Sequence, residues 1–223
     1  RLVDVPIHMV STCIDENDNR TPLDEALELR GIQISSTKCN SRGIDSEPDG
    51  VLFQYLRDDE TQLNRLAAQV LPHTGKSYPT FVTLLPRQQS HFLQLLMDLR
   101  GKTEGLLLIN STLPVTEIAR SIFSQVFNYG YCRRGSLATI DLSIRSDGTR
   151  PRSTLLDINW ESRFASSCFP GDSEWHTSLL PALEDTRRAI MQQGDRSLIQ
   201  FRSVLQLPAA VAVGYIFNLR LAR

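Results

Sequence analysis

The chain has 223 residues, 41% hydrophobic and 22% charged, with a formal net charge of −1. That length and composition fit a soluble globular protein of one large domain or two small ones, and the near-zero charge argues against a chain-wide attraction to nucleic acid or membrane. Cys13, Cys39, Cys132 and Cys168 are scattered without a CxxC pair, so neither a disulfide framework nor a zinc signature is present, and a reducing cytoplasm is the expected setting.

Leu2 to Val10 is expected to be a strand that Pro6 pushes to an edge. Asp15 to Asn19 is a polar turn. Thr21-Pro22-Leu23 opens a short helix through Leu29, and Gly31 to Ser36 alternates as a strand does. Lys38 to Gly50 is loop-like in composition, and Val51 to Tyr55 reads as a strand. Asp58 or Asp59 caps a helix with Leu63, Leu66 and Val70 in register, stopped by Pro72. Thr80 to Leu85 is a strand. Pro86 starts a helix carrying Phe92, Leu95, Leu96 and Leu99 on one side, with Gly101 just past its end. Gly105 to Ile109 is an apolar strand, Asn110-Ser111-Thr112 a polar turn, and Pro114 starts a helix with Val115, Ile118, Ile122 and Val126 inward and Gly130 as terminator. Leu137 to Arg145 and Thr154 to Asn159 are strand-like, and Asp147-Gly148 between them suggests a hairpin or ribbon. Asp172 caps a helix from Glu174, which Pro181 either kinks or restarts.

Ser197 to Arg220 is the stretch around which the rest is organised. Leu198, Ile199 and Phe201 form a short strand, and Pro208 takes the first helical position that proline favours. From Ala209 to Leu219 the helix is apolar on all sides, so it is expected to be covered on all sides. At about 1.5 Å per residue it is too short for a bilayer. Leu106 to Val126 repeats the same order of strand, polar turn, Leu-Pro and apolar helix. Either βα units simply look alike, or a duplication sets two equivalent turns beside one another as a composite pocket.

Alternating strands and helices imply an α/β fold: Rossmann-like βα units, a mainly parallel sheet, helices on both faces and one antiparallel ribbon. Residues 1–150 are expected to form an α/β N-terminal region and 151–223 a further, incomplete βα unit. The chain starts at Arg1 and stops just after an apolar helix, so a piece of a longer protein is expected. Nothing in it resembles a signal peptide or a membrane span.

The order Leu156-Asp157-Ile158 with Phe164, then Trp175, Leu180-Pro181-Ala182-Leu183 and Arg187-Arg188, then Leu198-Ile199 and Leu207-Pro208 running to Val213-Gly214-Tyr215 resembles the start of a SAVED domain. This is the CARF-related sensor of cyclic oligonucleotides in bacterial antiviral (CBASS or CRISPR-associated) effectors. The resemblance implies a cyclic oligonucleotide ligand, self-association or a fused or partner effector, and ligand contacts from turns after strands. By position those are Arg202, Ser203 and Gln206, with Asn110, Ser111 and Thr112 in the equivalent turn. Arg202 would clamp phosphate oxygens or pair with a surface carboxylate. Asn110, Ser111 and Thr112 would face ligand or cap a helix.

Other chemistry is weaker. His73-Thr74-Gly75-Lys76-Ser77 ends like a phosphate-binding loop but lacks its upstream glycine and precedes a strand, so no nucleotide cofactor follows from it. His8 with Cys13 is a possible nucleophile pair, and Asp15, Glu16, Asp18, Asp24, Glu25 and Glu28 form an acidic run better read as a solvated face than as a metal site. Arg133-Arg134 beside Tyr131 is too small a basic patch to carry nucleic-acid binding. Three readings result: a cyclic-nucleotide sensing module without cofactor, metal or membrane partner; an α/β hydrolase or nuclease with its site in residues 1–57; and a non-catalytic scaffold subunit.

Overall fold

The computed structural model describes residues 7–11, 21–32, 34–36, 50–55, 59–133, 139–146, 156–164, 169–192, 198–201 and 203–218. In chain order the elements are β1 (Ile7–Ser11), α1 (Pro22–Glu28), β2 (Ile34–Ser36), β3 (Val51–Gln54), α2 (Leu63–Val70), β4 (Thr80–Leu84), α3 (Pro86–Asp98), β5 (Leu106–Asn110), α4 (Val115–Arg133), β6 (Thr139–Arg145), β7 (Leu156–Asn159), α5 (Glu161–Phe164), α6 (Asp172–Glu174), α7 (Leu180–Met191), β8 (Leu198–Phe201) and α8 (Leu207–Ile216). They form two compact units, one of Val5–Thr21 and Ile34–Ile118, the other of Arg1–Asp4, Pro22–Gln33 and Ala119–Arg223. The division falls inside α4 rather than at residue 150. β6 pairs with β7 and β8, which draws residues 139–145 into the C-terminal unit.

The first unit holds a five-stranded parallel sheet in the order β2-β1-β3-β4-β5. The order reverses between β1 and β3, as in doubly wound sheets. β3 and β4 bury every side chain, the pattern of a parallel sheet covered on both sides. β1 pairs with both β2 and β3, so it is internal and not the edge expected from Pro6. It begins after that proline, so the missing N–H falls outside the ladder. Asp59 caps the 3-10 turn Glu60–Gln62 that leads into α2, its carboxylate accepting from the backbone N–H and the hydroxyl of Thr61. α3 begins at Pro86 as expected, but the left-handed residue closing it is Arg100 (φ 58°), and Gly101 is needed because a Cβ there would lie 2.7 Å from Leu96 Cγ.

The second unit holds a three-stranded sheet in the order β7-β6-β8, with β6 parallel to both neighbours. The antiparallel ribbon expected from Asp147-Gly148 is therefore corrected: β6 and β7 run in the same direction. Ten residues, 146–155, separate the two strands, too many for a two-residue turn, and a return to a parallel neighbour needs a connection on that scale. β6 buries Ser143 and Arg145 along with Leu142 and Ile144. α4 runs on past Gly130 to Arg133, since one glycine inside a helix costs only about 1 kcal/mol. Of the two alternatives for Pro181 the structure has the restart: α7 begins at Leu180 with Pro181 in its first turn. A π turn over Trp175–Leu179 precedes it, and the Leu180 N–H donates to the Trp175 carbonyl, so the ladder is already widened where the ring would clash.

α8 departs from expectation most. Ala209, Val213 and Phe217 are buried, but Leu207, Val211 and Tyr215 stand open on the opposite side. It packs against α7, and Phe217 meets Phe201 edge-on at 5.0 Å. A helix apolar all round is thus covered on one face only. Among the described residues no helix is long and apolar enough to cross a membrane.

Candidate functional site

The turns expected to hold ligand are engaged locally. Asn110 Oδ1 accepts from the Thr112 N–H at 2.9 Å and from its hydroxyl at 2.8 Å, and the Ser111 N–H donates to the Leu84 carbonyl. These bonds close a local turn between β5 and α4, in the first unit. Ser203 and Gln206 lie in the second unit. The Ser203 hydroxyl accepts from the Ile144 N–H at 3.1 Å, and the Gln206 N–H donates to the Ser146 hydroxyl at 2.6 Å. With the Val204 carbonyl accepting from the Ser146 N–H, these bonds extend the pairing of β6 and β8 into the turn before α8. Arg202 lies outside the described residues.

A cleft of about 620 Å³ opens elsewhere in the second unit, between α7 and α8. α7 buries Ala182, Leu183, Thr186, Ala189 and Ile190, so helical spacing turns Glu184, Arg187, Arg188 and Met191 the other way, and these line the cleft with Gln192. α8 contributes Tyr215, Ile216 and Asn218. Among the described residues the Nε of Arg187 is buried with no hydrogen-bond partner. A buried guanidinium nitrogen without an acceptor costs about 1–3 kcal/mol or more, which an incoming anion would relieve.

Behind that wall sits a charge cluster. Asp185 on α7 is 1% exposed and accepts from Arg30 Nε at 3.0 Å and Nη2 at 2.7 Å through one oxygen, and from Arg120 Nε at 2.7 Å through the other. Arg188 approaches the same carboxylate at 3.6 Å from the cleft side. Burial pushes the Arg30 guanidinium below its ordinary value, the hydrogen bond and charge of Asp185 raise it again, and the charge of Arg120 lowers it. Three guanidiniums thus share one carboxylate, and Arg188 carries that excess of positive charge to the cleft. The C-terminal ends of α7 and α8 point the negative ends of their dipoles this way, which accounts for a last-turn arginine such as Arg188. It does not account for the unpartnered nitrogen of Arg187.

The cleft can therefore take an anion beside an exposed aromatic ring and two amide side chains, Gln192 and Asn218. In the sequence, Arg187-Arg188 and Tyr215 carry the family resemblance and no site role. Adjacent arginines with Met191 and Gln192 one turn later were the available signal; that Tyr215 lies across from them was not in the sequence.

The other candidates contribute less. Gly75 and Lys76 precede β4, as the rejected phosphate loop implied, and His73 packs edge-on against Phe53 and meets the Tyr78 hydroxyl at 3.1 Å. Burial first, and then the charge of Lys76, lowers the His73 pKa. Cys13, Asp15, Glu16, Asp18 and Arg134 lie outside the described residues, as do the side chains of His8, Tyr131 and Arg133. Among the described residues no three His, Cys, Asp or Glu side chains are grouped to hold a metal ion. No family model matches the chain, and no curated protein matches it either.

Proposed function

We propose that this chain is a ligand-binding module for a phosphate-bearing nucleotide, of the cyclic-oligonucleotide class that the SAVED resemblance suggests, and that the ligand lies in the cleft between α7 and α8. The observation that carries this reading is the buried, unpartnered Nε of Arg187 on the wall of a 620 Å³ cleft. That volume is in the range of small-molecule sites. Arg187 and Arg188 meet phosphate oxygens with forked, charged hydrogen bonds. Tyr215 offers a face on which a base stacks, an interaction worth about 1–3 kcal/mol per base. Gln192 and Asn218 supply donors and acceptors to a base edge. In the antiviral setting the ligand controls assembly or an effector by binding one state more tightly than another.

The test is calorimetry and thermal shift with cyclic di-, tri- and tetranucleotides on the unmodified chain, Arg187→Ala and Arg202→Ala. At least one ligand is expected to bind and raise the melting temperature. Arg187→Ala is expected to weaken it at least ~10-fold, the cost of a lost charged hydrogen bond. If Arg202→Ala alone weakens binding, the site is the turn before α8. If none of the ligands binds, the sensing proposal fails.

A further inference from the structure

We infer, on the nucleotide reading of the cleft, that the base it takes is guanine and that Glu184 selects it. Among the described residues that line the cleft, Glu184 is the one carboxylate. It stands one helical turn, roughly 5 Å, before Arg187 and Arg188 on the same face of α7. A glutamate so placed ordinarily pairs with the arginine that follows it. Here Arg188 turns toward Asp185 instead, at 3.6 Å, and the Nε of Arg187 is buried without an acceptor. Among the described residues Glu184 makes no ion pair or hydrogen bond of its own. A carboxylate in this place works against the phosphates that the arginines attract. What it adds to binding must therefore lie in another part of the ligand.

A carboxylate accepts hydrogen bonds and donates none. A phosphodiester has no donor to offer it, and each ribose of a 3′,5′-linked ring keeps a single free hydroxyl. Guanine alone of the four RNA bases presents two adjacent, parallel donors, N1–H and N2–H. They meet both oxygens of a carboxylate as the fork of an arginine does. The order along α7 fits the same edge. Beside N2 and N1 guanine carries the acceptors O6 and N7, and beside Glu184 stands Arg188, whose five N–H donors serve these as well as a phosphate. Adenine reverses the pattern. Its N1 acceptor would face the carboxylate, and its N6 amine would face the guanidinium. Tyr215 stacks on either purine, and Arg187 meets a phosphate common to both, so the choice of base rests on Glu184.

The test is calorimetry on the full chain with all-guanine and all-adenine cyclic di-, tri- and tetranucleotides. EDTA is present so that no divalent cation bridges Glu184 to a phosphate. In each ring size that binds, the guanine ring is expected to bind at least ~10-fold more tightly, the discrimination of a forked base contact. A ring with inosine in place of guanine, which lacks only the N2 amine, is expected to fall between the two. Glu184→Gln sets an amide where the carboxylate was, and an amide suits the N6 donor and N7 acceptor of adenine. It is expected to weaken the guanine ring at least ~10-fold and to leave the adenine ring as tight or tighter. Arg187→Ala should weaken both rings by the same factor. Equal affinity for the two bases, a preference for adenine, or a loss in Glu184→Gln shared equally by both rings would overturn the guanine assignment and leave the nucleotide reading standing. Binding of no ring would remove both.

Discussion

In the five-stranded unit, β3 and β4 are wholly buried, with Gln54, Thr80 and Thr83 as their uncharged polar members, and they pair in register as Leu52 with Phe81 and Phe53 with Val82. In the three-stranded unit, β6 buries Ser143 and Arg145 beside Leu142 and Ile144. Arg145 is held by Asp157 on β7 through two bonds of 2.9 Å, the Trp160 indole N–H donates to the Leu29 carbonyl, and Arg30 reaches Asp185, 155 residues away. Among the described residues, one unit buries only uncharged polar side chains beside its apolar ones, whereas the other buries the charged Arg30, Arg145 and Asp185, which find partners far along the chain. A core of the first kind tolerates small errors in position. A core of the second kind does not, because each buried charge needs its partner at hydrogen-bond distance.

The sharpest way to break this comparison is Asp185→Ala. It strands Arg30, which is 1% exposed, and is expected to cost about 3–5 kcal/mol in urea unfolding. Replacing both partners, Arg30→Met with Asp185→Leu, should recover much of that loss, since the buried guanidinium goes with its carboxylate while Arg120 and Arg188, 40% and 51% exposed, turn to water. If the single substitution is harmless, the polar core is not what holds the unit. Gly31→Ala comes next. Gly31 has φ +79° and an added Cβ would lie 2.8 Å from the Asp157 carbonyl oxygen, so about 2 kcal/mol is expected from strain and contact together. In the five-stranded unit, Asp59→Ala removes the acceptor for Thr61 and should cost about 1 kcal/mol.

The smallest effect is one of pH. The folded His73 pKa lies below its ordinary 6.5. The unfolded chain therefore takes up the proton first as pH falls, so this stability is fully present above about 6.5 and declines as pH falls through the folded value. His73→Gln should flatten the unfolding free energy as pH falls below about 6.5. A slope unchanged by that substitution would assign the acid sensitivity to another group.

Local features were legible. Pro86 and Pro208 were recognised as first-turn prolines, Asp59 as one of two possible caps, and β3, β4, β5 and β8 within a residue or so, because each rests on residues adjacent in the chain. The direction of β7 was not legible. Asp147-Gly148 signals a hairpin over a few residues, whereas the direction of a strand is set by the sheet edge it joins. The cleft was half legible, since α7 turns Arg187, Arg188 and Met191 to one side by its own period, but only packing sets Tyr215 opposite them.

The amino-acid order alone determined the βα alternation, the element ends and the apolar character of α8, because these follow from backbone geometry and the period of side chains along one segment. Only the tertiary structure decided that α8 is covered on one face, that the Asn110 and Ser203 turns are already hydrogen-bonded, and that the Arg187 Nε finds no partner among the described residues. Burial and hydrogen-bond satisfaction depend on what distant segments bring to the same place, and one segment does not carry that information.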